Sequence, residues 1–104
     1  MTLIILDQAK REINQHIAGY RGRDVRSAER LAVLFEEALA GIASRPHRFS
    51  LMEMRCNPGN VRRVRLKTFP IYIPYQVLDR DIYVIAVAHA ARRPGYWRRR
   101  LQKP

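Results

Sequence analysis

The chain has 104 residues, a formal net charge of +11 and a hydrophobic content of 47%. This length predicts a single domain with a small core, so residues 1–104 are assigned to one domain, and the hydrophobic content excludes a disordered chain. No apolar run reaches the eighteen or so residues that a membrane helix needs, and the opening segment is charged too early for a signal peptide. We therefore expect a soluble, cytoplasmic protein that does not enter membranes.

The positive charge is concentrated in the second half of the chain. Residues 1–54 contain eight Lys/Arg and seven Asp/Glu, whereas residues 55–104 contain twelve and two. This asymmetry predicts an anionic partner, which could be nucleic acid, a ribonucleoprotein surface or an acidic protein; a merely solvated cationic surface is the alternative. The single Cys56 excludes an intramolecular disulfide, and no Cys/His grouping has the spacing of a zinc site. We expect neither a metal nor a cofactor.

The first half of the chain predicts one strand and two helices. Leu3–Leu6 is a short apolar run typical of a strand, and Asp7 is placed to cap the helix that follows. Asp24 is placed to cap a second helix, which Pro46 must end. Because the connection between the helices is short, they are expected to pack antiparallel across one face of a sheet. The second helix has a clear apolar stripe: Ala28, Leu31, Ala32, Phe35, Ala38, Leu39 and Ile42.

Three strand-like segments follow a loop: Val61–Lys67, Ile71–Leu78 and Ile82–Ala88. In the first, basic and apolar residues alternate, so Arg63, Arg65 and Lys67 should lie on one face. The last is nearly all β-branched or small, as in a central strand buried on both faces. Pro74 cannot donate to a ladder, so it predicts a bulge or a free edge in the second strand. The order β-α-α-β-β-β predicts a two-layer α+β fold, with the N-terminal strand and the helix pair packed on an antiparallel sheet containing a meander.

The segment after the last strand is strongly cationic and contains two aromatic residues. Tyr96 and Trp97 are interleaved with arginines, which suits stacking on nucleic acid or contact with a protein. Alternatively, one or both rings anchor the segment to the sheet.

Motifs for enzymatic chemistry are mostly missing. The sequence has no Gly-rich phosphate loop and no nucleophile elbow. A metal-independent ribonuclease would need a proton acceptor as well as cations, and arginine is unsuited to that role because it stays protonated. The candidates are His89, Tyr96, Glu53 and Lys67, and none is compelling. Whether the protein is an enzyme stays open at this point, with a non-enzymatic role favoured.

The residues from Arg63 to Tyr75 and from Val87 to Trp97, in this order of elements, resemble the RelE/ParE superfamily of toxins from bacterial type II toxin–antitoxin modules. The ParE-like branch, which includes plasmid stabilisation proteins, is the better match. The resemblance implies a small cognate antitoxin as partner, with a DNA-binding domain and a flexible tail that wraps the toxin. The charge of the chain independently favours an acidic, partly disordered partner.

The superfamily has two functional branches, and each implies its own site. ParE-like members bind and poison DNA gyrase; here the target-binding residues would be Arg62, Arg63, Arg65, Arg92, Arg93, Tyr96 and Trp97. RelE-like members cut messenger RNA on the ribosome; here the catalytic residues would be His89, Tyr96, Arg63, Arg65 and Arg92. The loop Ser50–Asn60 contains Arg55 and no lysine, unlike the RelE pattern, so gyrase inhibition is favoured over ribosome-dependent cleavage. A general nucleic-acid-binding module is a third hypothesis.

Overall fold

A computed structural model describes residues 1–103 of the chain. Its elements are β1 (Thr2–Ile5), α1 (Asp7–Arg21), α2 (Val25–Ser44), β2 (Arg62–Arg65), β3 (Ile71–Leu78), β4 (Asp81–Val84), β5 (Ala88–His89) and a 3-10 turn (Arg98–Arg100). The strands form one sheet in the order β1-β4-β3-β2, and β5 also pairs with β3. The α+β class, the β2-β3-β4 meander and the interior place of the last strand are confirmed. The sheet is mixed because β1 runs parallel to β4.

The two helices begin in different ways. The Asp24 carboxylate accepts hydrogen bonds from the Arg26 N–H at 3.1 Å and the Ser27 hydroxyl at 2.8 Å, which confirms the predicted cap of α2. The predicted cap of α1 is wrong: Leu6 occupies the capping position and Asp7 lies in the first turn. There the negative charge of Asp7 interacts favourably with the helix dipole. Within residues 1–103, neither helix combines the length and apolar character needed to cross a membrane.

The helices cover one face of the sheet and enclose the larger core. The α2 stripe supplies fully buried residues such as Leu31 and Ile42, which pack with Ile73 of β3 and its neighbours. Tyr75 is buried in this core, and its hydroxyl donates to the Pro46 carbonyl at 2.6 Å. That bond ties β3 to the segment immediately after α2.

A bulge divides the predicted last strand into β4 and β5. Tyr75 pairs with Val84 and Tyr72 pairs with Ala88, so two residues of β3 face three residues of its partner, 85–87. The Pro74 carbonyl accepts from the Ile85 N–H at 2.9 Å. Proline has no N–H to donate on that same side of the strand. The prediction of a bulge or a free edge in the second strand is therefore wrong: the extra residue lies in the partner strand, and β3 is an interior strand.

The C-terminal segment covers the opposite face of the sheet. Trp97 is completely buried there against Val61, Ile85 and Ala88, and its Nε1 donates to the Tyr72 hydroxyl at 3.1 Å. Further along, the side-chain amide of the buried Gln76 bonds both the N–H (2.9 Å) and the carbonyl (3.2 Å) of Gln102. The predicted basic tail is thus a packed layer, and the fold has structure on both sides of its sheet.

Candidate functional site

The alternation along β2 brings two arginines to the face covered by the C-terminal segment. Val64 is buried toward the helices, so Arg63 and Arg65 point the other way, as predicted. Cross-strand pairing places Arg65 beside Tyr72, and the Arg63 guanidinium lies 5.8 Å from the centre of the Tyr72 ring. One face of the sheet therefore presents both an aromatic surface and two cations.

These arginines line a groove with a volume of about 590 Å³. We call it the arginine groove. One wall comes from the loop before β2 and the other from the C-terminal segment, so residues distant in sequence meet across it. Its charged lining residues are Glu53, Arg55, Arg63, Arg65, Arg92 and Arg98. Five arginines against one carboxylate make the groove an electrostatic site for anionic groups.

A turn at Gly95 shapes the C-terminal wall of the groove. Gly95 has φ of 73°, a conformation that side chains rarely adopt, and a Cβ there would lie 2.7 Å from the Arg98 side chain. The turn places Arg98 on the groove while Trp97 enters the core beneath it. Glycine at this position thus allows Arg98 to line the groove while the adjacent Trp97 packs in the core.

A buried carboxylate holds this wall in place. Glu12 of α1 accepts hydrogen bonds from the Tyr96 hydroxyl at 2.5 Å, from Arg100 Nη1 at 2.8 Å and from the Val87 N–H at 3.1 Å. Arg92 Nη1 lies 3.6 Å from the same carboxylate, and its guanidinium stacks on the Tyr96 ring at 3.7 Å. Glu12 therefore connects α1, the bulge and the C-terminal segment. We call these residues the Glu12 network.

The network shifts the pKa values of two of its residues, Glu12 and Tyr96. Burial alone would raise the pKa of Glu12, but hydrogen bonds from Arg100, Tyr96 and the Val87 N–H outweigh burial and lower it below the usual 4.5. Burial raises the pKa of Tyr96, and its hydrogen bond to Glu12 raises it further. Near neutral pH, Glu12 is therefore ionised and Tyr96 keeps its proton.

The structure gathers only some of the residues proposed from sequence. Arg63, Arg65 and Arg92 line the arginine groove together, and Tyr96 supports Arg92 from below. Trp97 has no exposed surface, so its contribution to the groove is structural.

Three other proposed residues lie away from the groove. Arg62 faces the helix side, where it donates to the carbonyls of Phe49 (2.6 Å) and His47 (3.3 Å). Arg93 is exposed in the turn before Gly95 and does not line the groove. His89 pairs with Ile71 of the helix-side core, and its ring centre lies 6.5 Å from that of His16 on α1.

Glu12 is the main residue that sequence reasoning missed. It follows Ala9 by three residues and precedes Ile13, so it lies on the apolar face of α1, where it is 6% exposed. A carboxylate on a buried helical stripe needs a partner, and the excess of arginine in the second half of the chain was the available signal. Its identification as a hub required the fold, because its partners lie 75 to 88 residues away.

Comparisons with known proteins bear on the family and the fold. The family model for the ParE toxin of the type II toxin–antitoxin system parDE matches residues 3–94. A chain described as the chromosomal ParDE toxin–antitoxin system from P. aeruginosa superposes with a TM-score of 0.72 at 17% identity, over 86% of this chain and 95% of that one. No curated protein matches the sequence. Because the family model spans most of its length, the chain belongs to the ParE toxin family of type II toxin–antitoxin systems.

Proposed function

We propose that this toxin arrests growth by binding DNA gyrase through the arginine groove, without cutting nucleic acid, and that a cognate antitoxin neutralises it. The observation that supports a non-enzymatic action is the hydrogen bond from Tyr96 to Glu12. A tyrosine that donates to a buried carboxylate, and whose pKa is raised, is a poor proton acceptor. His89, the other leading candidate, faces the helices rather than the groove.

The exposed arginines suit protein binding by charge. Arg65 of β2 and Arg98 of the C-terminal segment are exposed and both line the groove, so a partner that enters the groove meets cations from two separate parts of the chain. Arginine forms paired hydrogen bonds with carboxylates, which favours an acidic surface of the target.

One observation favours the nuclease as a second candidate. Glu53 lines the groove together with Arg63 and Arg65. A carboxylate beside arginines can take the proton of a 2′-hydroxyl as its oxygen attacks the adjacent phosphorus, while the cations stabilise the phosphorane; the bond from phosphorus to the 5′-oxygen then breaks, and that oxygen takes a proton from water. In this mechanism Glu53 would be the base. Tyr96 would hold Arg92 in place and would not react.

The test separates the two candidates with purified protein and with cells. The double variant Arg65→Glu/Arg98→Glu should weaken inhibition of gyrase supercoiling by at least about tenfold, because it places carboxylates opposite an acidic partner. The matched control is Arg26→Glu/Arg30→Glu, which makes the same charge change at exposed positions of α2 and should inhibit like the wild type.

Pulse-labelling after induction provides the second readout. Gyrase inhibition predicts that DNA synthesis stops first and that Tyr96→Phe and Glu53→Gln remain toxic. If protein synthesis stops first and Glu53→Gln abolishes that effect while the protein stays folded, the nuclease is correct. If the charge-reversed protein inhibits gyrase as well as the control, gyrase binding through this groove is excluded.

A further inference from the structure

The two edges of the sheet differ in what covers them. The outer side of β2 is covered by the segment that precedes it, since the Met52 N–H donates to the Val61 carbonyl at 2.8 Å and the Arg63 N–H donates to the Ser50 carbonyl at 3.2 Å. At the other end of the sheet, β1 has one neighbouring strand within residues 1–103, which is β4. The outer side of β1 is therefore an open edge.

This open edge presents unpaired backbone groups. The N–H groups of Thr2 and Leu6 point into the sheet, where each donates to a carbonyl on the β4 side at 3.1 Å. Because successive residues of a strand direct their backbone groups to opposite sides, the N–H and C=O groups of Leu3 and Ile5 point outward. An edge of this kind is a template on which another strand can pair.

The side chains of β1 do nothing to prevent such pairing. The strand Thr2–Ile5 contains no charged residue and no proline, and its register with β4 has no bulge, so the usual means of blocking an edge are missing from it. Leu3 and Ile5 pack with the helix-side core. Ile4 therefore points to the opposite face, where it is partly exposed and lies beside Tyr83 of β4.

The composition of the open edge favours a second copy of this chain over an acidic or nucleic-acid partner. No Lys or Arg lies within residues 2–6, so a partner strand rich in carboxylates or phosphates would place its charges beside Ile4 and Leu6 without a cation to pair with them. A second β1 brings uncharged, mostly β-branched residues instead. The first half of the chain is also close to neutral, with eight Lys/Arg and seven Asp/Glu in residues 1–54, so repulsion between two such edges is small.

We propose that two copies of this toxin pair antiparallel through β1, with Ile4 on the two-fold axis. In this register, Leu3 of each copy lies opposite Ile5 of the other. Each such pair exchanges two backbone hydrogen bonds, so the outward groups of both copies are all used. The two Ile4 side chains form the close, non-hydrogen-bonded pair between them, which suits β-branched residues. One patch thus contacts itself, as a two-fold interface requires.

The pairing joins two sheets into one and leaves the arginine groove open. β2, which contributes Arg63 and Arg65 to the groove, is the strand farthest from β1 in the sheet order. The two grooves therefore lie at opposite ends of the joined sheet. Because the groove and the open edge share no residue, this inference is independent of the proposed function, and either can fail without the other.

Sedimentation equilibrium of the full chain tests the pairing. A dimer should form at concentrations on the order of 10–100 µM, since a short strand pair is a small interface. Added salt should strengthen the dimer, because it screens the repulsion between two chains of charge +11. Ile4→Lys should weaken it at least about tenfold, because two ammonium groups would then lie opposite each other. The matched control Val33→Lys, at an exposed position of α2, should leave the dimer unchanged.

A cysteine cross-link tests the register. The Cα atoms of a non-hydrogen-bonded antiparallel pair are about 4.5 Å apart, which is within the range of a disulfide. Ile4→Cys, combined with Cys56→Ser to remove the exposed native thiol, should therefore give a covalent dimer on mild oxidation. Val33→Cys with the same Cys56→Ser change is the control, and it should cross-link far less.

Each outcome decides for or against the pairing. A dimer that Ile4→Lys weakens and that cross-links at Ile4→Cys supports it. A chain that stays monomeric up to about 1 mM overturns it, and so does a dimer that Ile4→Lys and Val33→Lys affect equally. If Ile4→Lys does not fold, the cross-link at Ile4→Cys still decides. If the chain never dimerises but captures a strand of its antitoxin at β1, the edge belongs to another protein and the proposal is wrong.

Discussion

The face of the sheet toward α1 and α2 is closed by apolar side chains at regular spacing, whereas the opposite face is closed by one tryptophan and a polar network. On the helix side, Leu31, Ile42 and Ile73 are completely buried. On the other side, the segment that contains Trp97 is held by two hydrogen bonds: Glu12 accepts from the Tyr96 hydroxyl, and Gln76 accepts from the Gln102 N–H. On the helix side, a periodic apolar pattern is enough to form a core. On the other side, the position of the C-terminal segment depends on a few polar contacts between residues distant in sequence. The arginine groove lies on the second of these faces.

The largest effect should come from removing the tryptophan. Trp97→Ala should lower the free energy of unfolding by about 3–5 kcal/mol, because it empties a fully buried site. Urea denaturation measures this loss. Loss of Trp97 should also release the C-terminal segment from the sheet. Because this segment is rich in arginine, trypsin should then cleave selectively at Arg98–Arg100. Phe35→Ala, on the helix side, should cost a similar amount without selective cleavage there; the same cleavage pattern in both variants would show that the two faces do not unfold separately.

The Glu12 network should give the next largest effect, and it should depend on pH. Glu12→Gln should cost about 2–4 kcal/mol at pH 7, because it weakens charged hydrogen bonds in a mostly buried site. The pKa of Glu12 is lowered by folding, so its contribution is complete above its usual pKa of 4.5 and declines as the pH falls toward the folded value. Urea denaturation from pH 7 to pH 3 should therefore show the gap between wild type and variant narrowing.

A matched control for that prediction is Glu36→Gln on the exposed surface of α2. Its unfolding free energy should stay close to that of the wild type at every pH. A gap for Glu12→Gln that is constant down to pH 3 would show that the carboxylate is not the ionised hub described above.

The smallest effect should come from a local contact of the helix layer. Asp24→Ala removes the cap of α2 and should cost about 1 kcal/mol. Thermal unfolding of Asp24→Ala against Asp24→Asn measures it, since asparagine can still accept the Arg26 N–H. If the asparagine variant is as unstable as the alanine variant, the cap hydrogen bond is not the source of the effect.

Local patterns predicted the parts of the fold that depend on neighbours in sequence. The alternation around Val64 located Arg63 and Arg65 on one face, and the α2 stripe and Asp24 cap were correct. Asp7 was misassigned as a cap because the chain leaves β1 directly into α1, and Leu6 takes the capping position. The division of the last strand was missed, since a bulge depends on the partner strand and not on the composition of Ile82–Ala88.

The composition of the groove could be predicted only in part. Arg63, Arg65 and Arg92 were proposed together from the family resemblance, and they line one groove. His89 could not be excluded from it by sequence, because a single bulge decides which face the residues after Val84 occupy. The role of Glu12 could not be predicted for another reason. No periodicity connects α1 to Tyr96 and Arg100, which follow Glu12 by 84 and 88 residues.

The Glu12 network also has a consequence for the order in which the parts of the protein fold. Arg92 and Arg98, which form one wall of the groove, are held by contacts that run from Tyr96 and Arg100 back to Glu12. During synthesis, Glu12 and β2 leave the ribosome long before these partners exist, and contacts between residues so distant in sequence form late. A growing chain therefore has no complete groove until Arg100 has emerged. Assembly of the groove is therefore among the last steps in the folding of this chain.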